Sequence, residues 1–213
     1  MHKLTCLFGG TFDPIHYGHL KPLVELQQHC SCEEVRIIPA AVPPHRPAPV
    51  ASTADRLAML RLALAEYPGF TLDSCELDRD GPSYSVLTLQ ALRASMPDAA
   101  LCLVMGSDAF AGLPTWYHWQ EIPELCHIIV IERPGEAAAS AQHWAQQRLV
   151  EDVQRLQTTT AGFVLPLRLT LLDTSATDIR QRLATGQDVK GMLPESVLDY
   201  IREQGLYLSS ILS

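Results

Sequence analysis

LTCLFGGTFDPIHYGH, residues 4–19, is the stretch on which the reading of this chain turns. Lys3 to Phe8 alternates and is largely apolar, which predicts a buried first strand, and Gly9-Gly10 opens a tight turn at its carboxyl end. Pro14 is incompatible with a helix interior, so the following helix is expected to begin near Tyr17-Gly18 and to run through Leu20, Leu23, Val24 and Leu26. Glycines let a phosphate chain approach the main chain, while the helix N-terminus offers unpaired N–H groups and the positive end of its dipole. His16 and His19, three residues apart, share one helical face and can both donate to one polyphosphate. A metal pair is the competing reading of these histidines, but no nearby Cys or third His completes a zinc set. The dinucleotide fingerprint G-x-G-x-x-G is absent, which argues against an oxidoreductase.

Outward from this stretch, strand and helix signals alternate, as parallel βαβ units require. Residues 34–39 predict a second strand. The segment after it carries Pro43, Pro44, Pro47 and Pro49, which stiffen an extended loop holding His45 and Arg46. Ser52 and Asp55 form a capping box that opens a helix to about Glu66. A strand is expected over 70–75, a helix over 83–95 and an almost continuously apolar strand over 100–105 that turns at Gly106-Ser107-Asp108. Residues 127–131 repeat the strand pattern and end at Glu132-Arg133-Pro134-Gly135. A helical stretch over 137–157, a last strand over 167–172 and short helices over 178–185 and 194–204 complete the expectation.

The implied fold is α/β, a Rossmann-like doubly wound parallel sheet. It is read as one domain over 1–213, with 175–213 as a small helical C-terminal part. With 213 residues, 47% of them hydrophobic, the chain is long enough for one sizeable core. A formal net charge of −8 argues against nonspecific nucleic-acid binding. Six scattered cysteines, several within apolar runs, read as reduced core side chains, and Cys30-Ser31-Cys32 lacks the spacer of a redox or zinc motif. With no signal peptide or membrane-length apolar run visible, a cytoplasmic location and no membrane partner are expected. Most of the polar segments singled out follow a predicted strand, where ligands bind in an open parallel sheet.

Taken one at a time, the remaining candidates have ordinary readings. His45 and Arg46 fit a solvated loop. Asp108 fits a helix cap. Trp116, Tyr117 and Trp119 fit packing, although such a cluster also suits stacking on a planar ring.

Taken together, the motifs resemble a known family. GGTFDPIHYGH is similar to the signature of the nucleotidyltransferase superfamily that carries H-x-G-H, in the form found in bacterial nicotinate-nucleotide adenylyltransferases. Ser175-Ala176-Thr177-Asp178-Ile179-Arg180 resembles its partner motif S-x-T-x-I-R. PPHRP at 43–47, PSYS at 82–85, MGSDAF at 105–110 and TWYHW at 115–119 also resemble family segments, so the likeness spans nearly the whole chain. It implies transfer of the adenylyl group of ATP to nicotinate mononucleotide, giving nicotinate adenine dinucleotide and pyrophosphate, with Mg2+ accompanying ATP. By this resemblance the catalytic residues are His16, His19 and Arg180. Gly9, Gly10, Thr11, Phe12, Gly18, Gly106, Asp108, Arg133, Ser175, Thr177 and Ile179 join them around ATP. His45, Arg46, Tyr84, Ser85, Trp116 and Tyr117 would take the mononucleotide, and no protein-held metal is implied. Relatives often carry two arginines before Pro-Gly where this chain has Glu132-Arg133.

Rival readings within the fold are transfer to phosphopantetheine or to an alcohol phosphate. A class I aminoacyl-tRNA synthetase fragment would need a lysine-rich second motif and a basic surface. A non-catalytic nucleotide sensor would bind ATP without releasing pyrophosphate. The oligomeric state, monomer or homodimer, is open at this level.

Overall fold

The structure, a computed structural model, describes residues 1–42, 48–132, 139 and 142–208. Its strands and helices are, in chain order, β1 (Leu4–Gly10), α1 (Tyr17–Cys30), β2 (Glu34–Pro39), α2 (Thr53–Leu64), β3 (Phe70–Leu72), α3 (Ser85–Ser95) and β4 (Ala100–Gly106). They continue with α4 (Ser107–Gly112), α5 (Ile122–Leu125), β5 (His127–Glu132), β6 (Val164–Arg168), α6 (Ala176–Ala184) and α7 (Glu195–Glu203). The strands form one six-stranded sheet in the order β3-β2-β1-β4-β5-β6. Each neighbouring pair is parallel, with Gly10 beside Pro39 and Leu7 beside Leu103. The order reverses between β1 and β4, which opens a crevice at their carboxyl ends. The doubly wound parallel sheet expected from the sequence is therefore present.

Period-two alternation divides the core into two layers. Leu4 and Cys6 of β1, Ala100, Cys102 and Val104 of β4, and Ile129 and Ile131 of β5 face α1, α2, α6 and α7. Leu7, Leu101, Leu103, Met105, Ile128 and Val130 face the layer of α3, α4 and α5. Burial of each such Leu or Ile contributes about 1.5–3 kcal/mol, so register is strongly specified. Val197, Leu198 and Ile201 of α7 belong to the first layer. The Tyr200 hydroxyl also donates to Asp55 Oδ1 at 2.9 Å, fastening α7 to the start of α2. All six cysteines are free thiols, and five of them are buried.

Several element boundaries differ from the sequence expectation. The strand expected over 70–75 stops at Leu72, because the Asp73 carboxylate accepts the Cys75 N–H at 3.0 Å and turns the chain. The helix expected from Ser83 starts at Ser85, since Ser83 Oγ is occupied by the N–H groups of Ala41 (2.9 Å) and Val42 (3.3 Å). The helical stretch expected over 137–157 is, where described, mostly two 3-10 segments, His143–Arg148 and Val153–Thr158. Between them Leu149 bridges to Val164, and Val150 N–H donates to the Val164 carbonyl at 3.0 Å, so sheet pairing outweighs helix propensity. The last strand is Val164–Arg168 rather than 167–172. Pro166 is tolerated there because β6 is the edge strand of the sheet, bridged on its outer side at Val164.

Candidate active site

Local sterics shape the turn between β1 and α1. Phe12 takes a left-handed backbone conformation, φ +49, and its ring folds back so closely that a Cβ on Gly10 would lie 2.8 Å from it. A side chain at position 10 would therefore require the buried Phe12 ring to shift. His16 caps α1 with extended backbone, and its buried ring stacks on His19 with centroids 3.8 Å apart. Phe12 meets the edge of His19 at 5.2 Å. A Cβ on Gly18 would lie 2.7 Å from the Thr174 carbonyl oxygen and 2.9 Å from His16 Nδ1, so this glycine lets the approach to α6 pass close over the histidine. Burial lowers the His16 pKa to about 4, which keeps the imidazole neutral near pH 7. Its Nδ1 is buried without a hydrogen-bond partner.

From the other end of the chain, α6 reaches the same turn. Ser175 caps it, its hydroxyl accepting the Asp178 N–H at 3.1 Å, and Thr177 Oγ1 accepts from Arg180 Nη2 at 3.4 Å. Arg180 Nη1 donates to the Asp13 carbonyl at 2.6 Å, so the two motifs at opposite ends of the sequence meet. Ile179 contributes packing: its side chain is fully buried and its N–H donates to the Ser175 carbonyl. Beneath the turn, buried Arg56 donates to the Thr11 and Ala40 carbonyls, both at 2.9 Å, and ties together the carboxyl ends of β1 and β2. Gly9 is the next-to-last residue of β1, where a Cβ would meet only the Ile38 carbonyl at 3.9 Å.

Across the crevice, Gly106 ends β4 and caps α4, which carries Asp108 in its first turn. Ser107 Oγ donates to the Ile131 carbonyl at 3.3 Å and holds α4 against β5. Tyr84, at the start of α3, stacks on Tyr117 with centroids 4.5 Å apart, while Ser85 is the first residue of that helix. Tyr117 is 48% exposed, whereas Trp116 packs half-buried against the second core layer. Glu132 is buried, and its carboxylate accepts the Ala139 N–H at 3.0 Å. The acid at this position is thus anchored inward.

The family model described as cytidylyltransferase-like matches residues 7–182. A protein of Acidithiobacillus ferrooxidans described as a "Probable nicotinate-nucleotide adenylyltransferase" is 47% identical over 212 residues, 98% of this chain and 97% of that one. The chain belongs to the nicotinate-nucleotide adenylyltransferase family. A relative of the same description from Klebsiella pneumoniae is 46% identical over 97% of this chain and 98% of its own length. The fold is shared with the Plasmodium falciparum nicotinic acid mononucleotide adenylyltransferase complexed with NaAD, at TM-score 0.72 and 18% identity, over 97% of this chain and 98% of that one.

In this nicotinate-nucleotide adenylyltransferase family member, the candidates His45, Arg46 and Arg133 lie outside the described residues. His16, His19, Gly18 and Arg180 are gathered at one turn, and Tyr84 and Tyr117 meet at the α3 side. Sequence reasoning missed Asp13, Arg56 and Tyr207. Asp13 carried one signal, its place inside the motif beside Pro14; Arg56 and Tyr207 carried none, because each acts through contacts distant in sequence.

Proposed function

We propose that this protein transfers the adenylyl group of ATP to nicotinate mononucleotide, releasing pyrophosphate and forming nicotinate adenine dinucleotide for NAD synthesis. The observation that carries this reading is the meeting of the two motifs, with Arg180 2.6 Å from the Asp13 carbonyl beside the His16–His19 stack. In the reaction a phosphate oxygen of the mononucleotide forms a bond to the α-phosphorus of ATP as the bond to the bridging oxygen of pyrophosphate breaks. The attacking oxygen is already anionic, so no general base is needed. Catalysis rests on alignment and on donors aimed at the charge that develops on the phosphates.

His16, His19, Gly9, Gly10, Thr11, Phe12 and Gly18 form the wall for the ATP phosphates, and the buried orphan Nδ1 of His16 is a polar group that such a ligand would satisfy. Arg180, Ser175, Thr177 and Ile179 build the facing helix start, Gly106 and Asp108 lie at the nucleoside end, and Arg133 is assigned to the ATP side. His45 and Arg46 are assigned to the mononucleotide phosphate, with Tyr84, Ser85, Trp116 and Tyr117 at the pyridine ring. Among the described residues, no group of three or more His, Cys, Asp or Glu side chains is placed to hold a metal ion. A magnesium ion would be carried on the triphosphate, held by phosphate oxygens and water, where it would neutralise phosphate charge.

The residues at the pyridine end favour the acid over the amide. A carboxylate only accepts hydrogen bonds, so main-chain N–H groups that face it would meet an opposing donor in the amide, at about 1–3 kcal/mol for each donor left unpaired. The free thiols suit a reducing, cytoplasmic setting. Among the described residues no helix is long and apolar enough to cross a membrane. Incubation with ATP, magnesium and, separately, nicotinate mononucleotide, nicotinamide mononucleotide and phosphopantetheine, following pyrophosphate and the dinucleotide product, tests the reading. Highest kcat/KM is expected with nicotinate mononucleotide. Preference for another acceptor, or ATP binding without pyrophosphate release, overturns it.

A further inference from the structure

Asp13 is 4% exposed and gathers contacts from three distant parts of the chain. Its Oδ2 accepts the Val50 N–H at 2.7 Å, and its Oδ1 accepts the Ala51 N–H at 3.1 Å. The Tyr207 hydroxyl donates to Oδ1 at 2.6 Å. Arg180 Nη1 lies 3.8 Å from Oδ2 while donating to the Asp13 carbonyl at 2.6 Å. The chain reaches this arrangement by an unusual route. After α7, Gly205 and then Tyr207 both take left-handed conformations, φ +62 and +59, and Leu206 N–H closes the turn on the Ile201 carbonyl at 2.9 Å. A tyrosine rarely adopts positive φ, so the contacts it makes must outweigh that local cost. Burial and the Asp13 carboxylate push the Tyr207 hydroxyl well above the usual tyrosine range, so it remains a donor throughout the working pH range.

We propose that Asp13 is a positioning residue for Arg180, and that Tyr207, from the C-terminal turn, holds the Asp13 carboxylate in the orientation this requires. The inference rests on the reading that Arg180 faces the ATP phosphates. A carboxylate fixed by two main-chain donors and a phenol presents a stationary negative charge to the guanidinium. Arg180 is thereby restrained before ATP arrives, and less side-chain entropy is lost on binding. The same carboxylate ties down residues 50 and 51, which follow the proline-rich segment, so the C-terminal turn, the motif turn and that loop base form one connected unit.

The test is a coupling experiment on the full chain with Tyr207→Phe, Asp13→Asn, Arg180→Ala and the doubles, measuring kcat, both KM values and Tm. Tyr207→Phe keeps the shape of the ring and is expected to fold, while lowering kcat/KM for ATP roughly tenfold, the scale of one lost charge-assisted hydrogen bond. KM for nicotinate mononucleotide should change much less. In the Arg180→Ala background the same substitution should cost little further, because its effect passes through an arginine already removed. Should Asp13→Asn fail to fold, Tyr207→Phe still decides. Near-normal ATP kinetics in Arg180→Ala would remove the reading of Arg180 itself. An impaired Arg180→Ala together with fully additive losses, or equal losses on both substrates, would overturn the positioning role and leave Tyr207 and Asp13 as purely structural.

Discussion

Replacing Gly18 by alanine adds one methyl group at the point where both motifs and the histidine stack meet. The new Cβ would lie 2.7 Å from the Thr174 carbonyl oxygen and 2.9 Å from His16 Cε1 and Nδ1, whereas ordinary contact begins at 3.4 Å. About 0.7 Å must therefore be found at the carbonyl and about 0.5 Å at the ring, in a region packed too tightly to yield freely. Neither neighbour moves without cost: Thr174 leads directly into the Ser175 cap of α6, and the His16 ring is held on His19 at 3.8 Å. Alanine gains at most about 1 kcal/mol of helix propensity, less at the second residue of a helix, while overpacking costs about 1–3 kcal/mol. Overpacking wins, and a net loss of about 1 kcal/mol lowers Tm by roughly 2–4 °C for a chain of this size. The effect on turnover should be larger. A 1 Å displacement of a catalytic group costs about a hundredfold, so a half-ångström shift of His16 should lower kcat by roughly tenfold or more. Pyrophosphate release at saturating ATP and nicotinate mononucleotide, alongside thermal unfolding followed by circular dichroism, measures both. A Gly18→Ala protein with unchanged or raised Tm and kcat within twofold of the parent would refute the close packing inferred here.

Three further outcomes are expected. Removal of the His19 imidazole in His19→Ala should lower kcat by roughly 10²–10³, the scale of one preorganised donor, with a smaller change in KM for ATP; stopped-time pyrophosphate assays would show otherwise if turnover stayed near normal. Since His16 is held near pKa 4 when folded and takes up a proton near its ordinary value when unfolded, acid favours the unfolded state. Stability from this group is fully present above about pH 6.5, falls by about 2 kcal/mol by pH 5 and is lost towards pH 4, and urea midpoints should show a shallower slope in His16→Asn. The Arg93 guanidinium donates to the carbonyls of Leu125, Met96, Pro97, Ala99 and Thr160, joining the end of α3 to the turns before β4, β5 and β6. Lysine cannot span those acceptors from a single nitrogen, so Arg93→Lys should cost about 2 kcal/mol and lower Tm by roughly 4–8 °C while leaving both KM values near those of the parent.

By itself the amino-acid sequence determined whatever depends on local pattern. The alternating apolar strand before Gly9-Gly10, the helix start after Pro14 and the continuous run over 100–105 lie where backbone sterics and period-two burial demand, and they carry the parallel α/β class with them. The two motifs were legible for the same reason, since each is a contiguous set of chemistry-bearing residues. Tertiary structure decided what depends on contacts between distant segments. The 137–157 stretch is not a continuous helix because Leu149 and Val150 find a strand partner at Val164 that no window of neighbouring residues reveals. Glu132 reads as a missing positive charge until its carboxylate is seen accepting the Ala139 N–H. Asp13, Arg56 and Tyr207 acquire their roles only when the fold brings residues 13, 50, 180 and 207 around one buried carboxylate and places Arg56 beneath the same turn. Propensity and periodicity act over a few residues, whereas the partners of a buried polar group are chosen by the path of the whole chain.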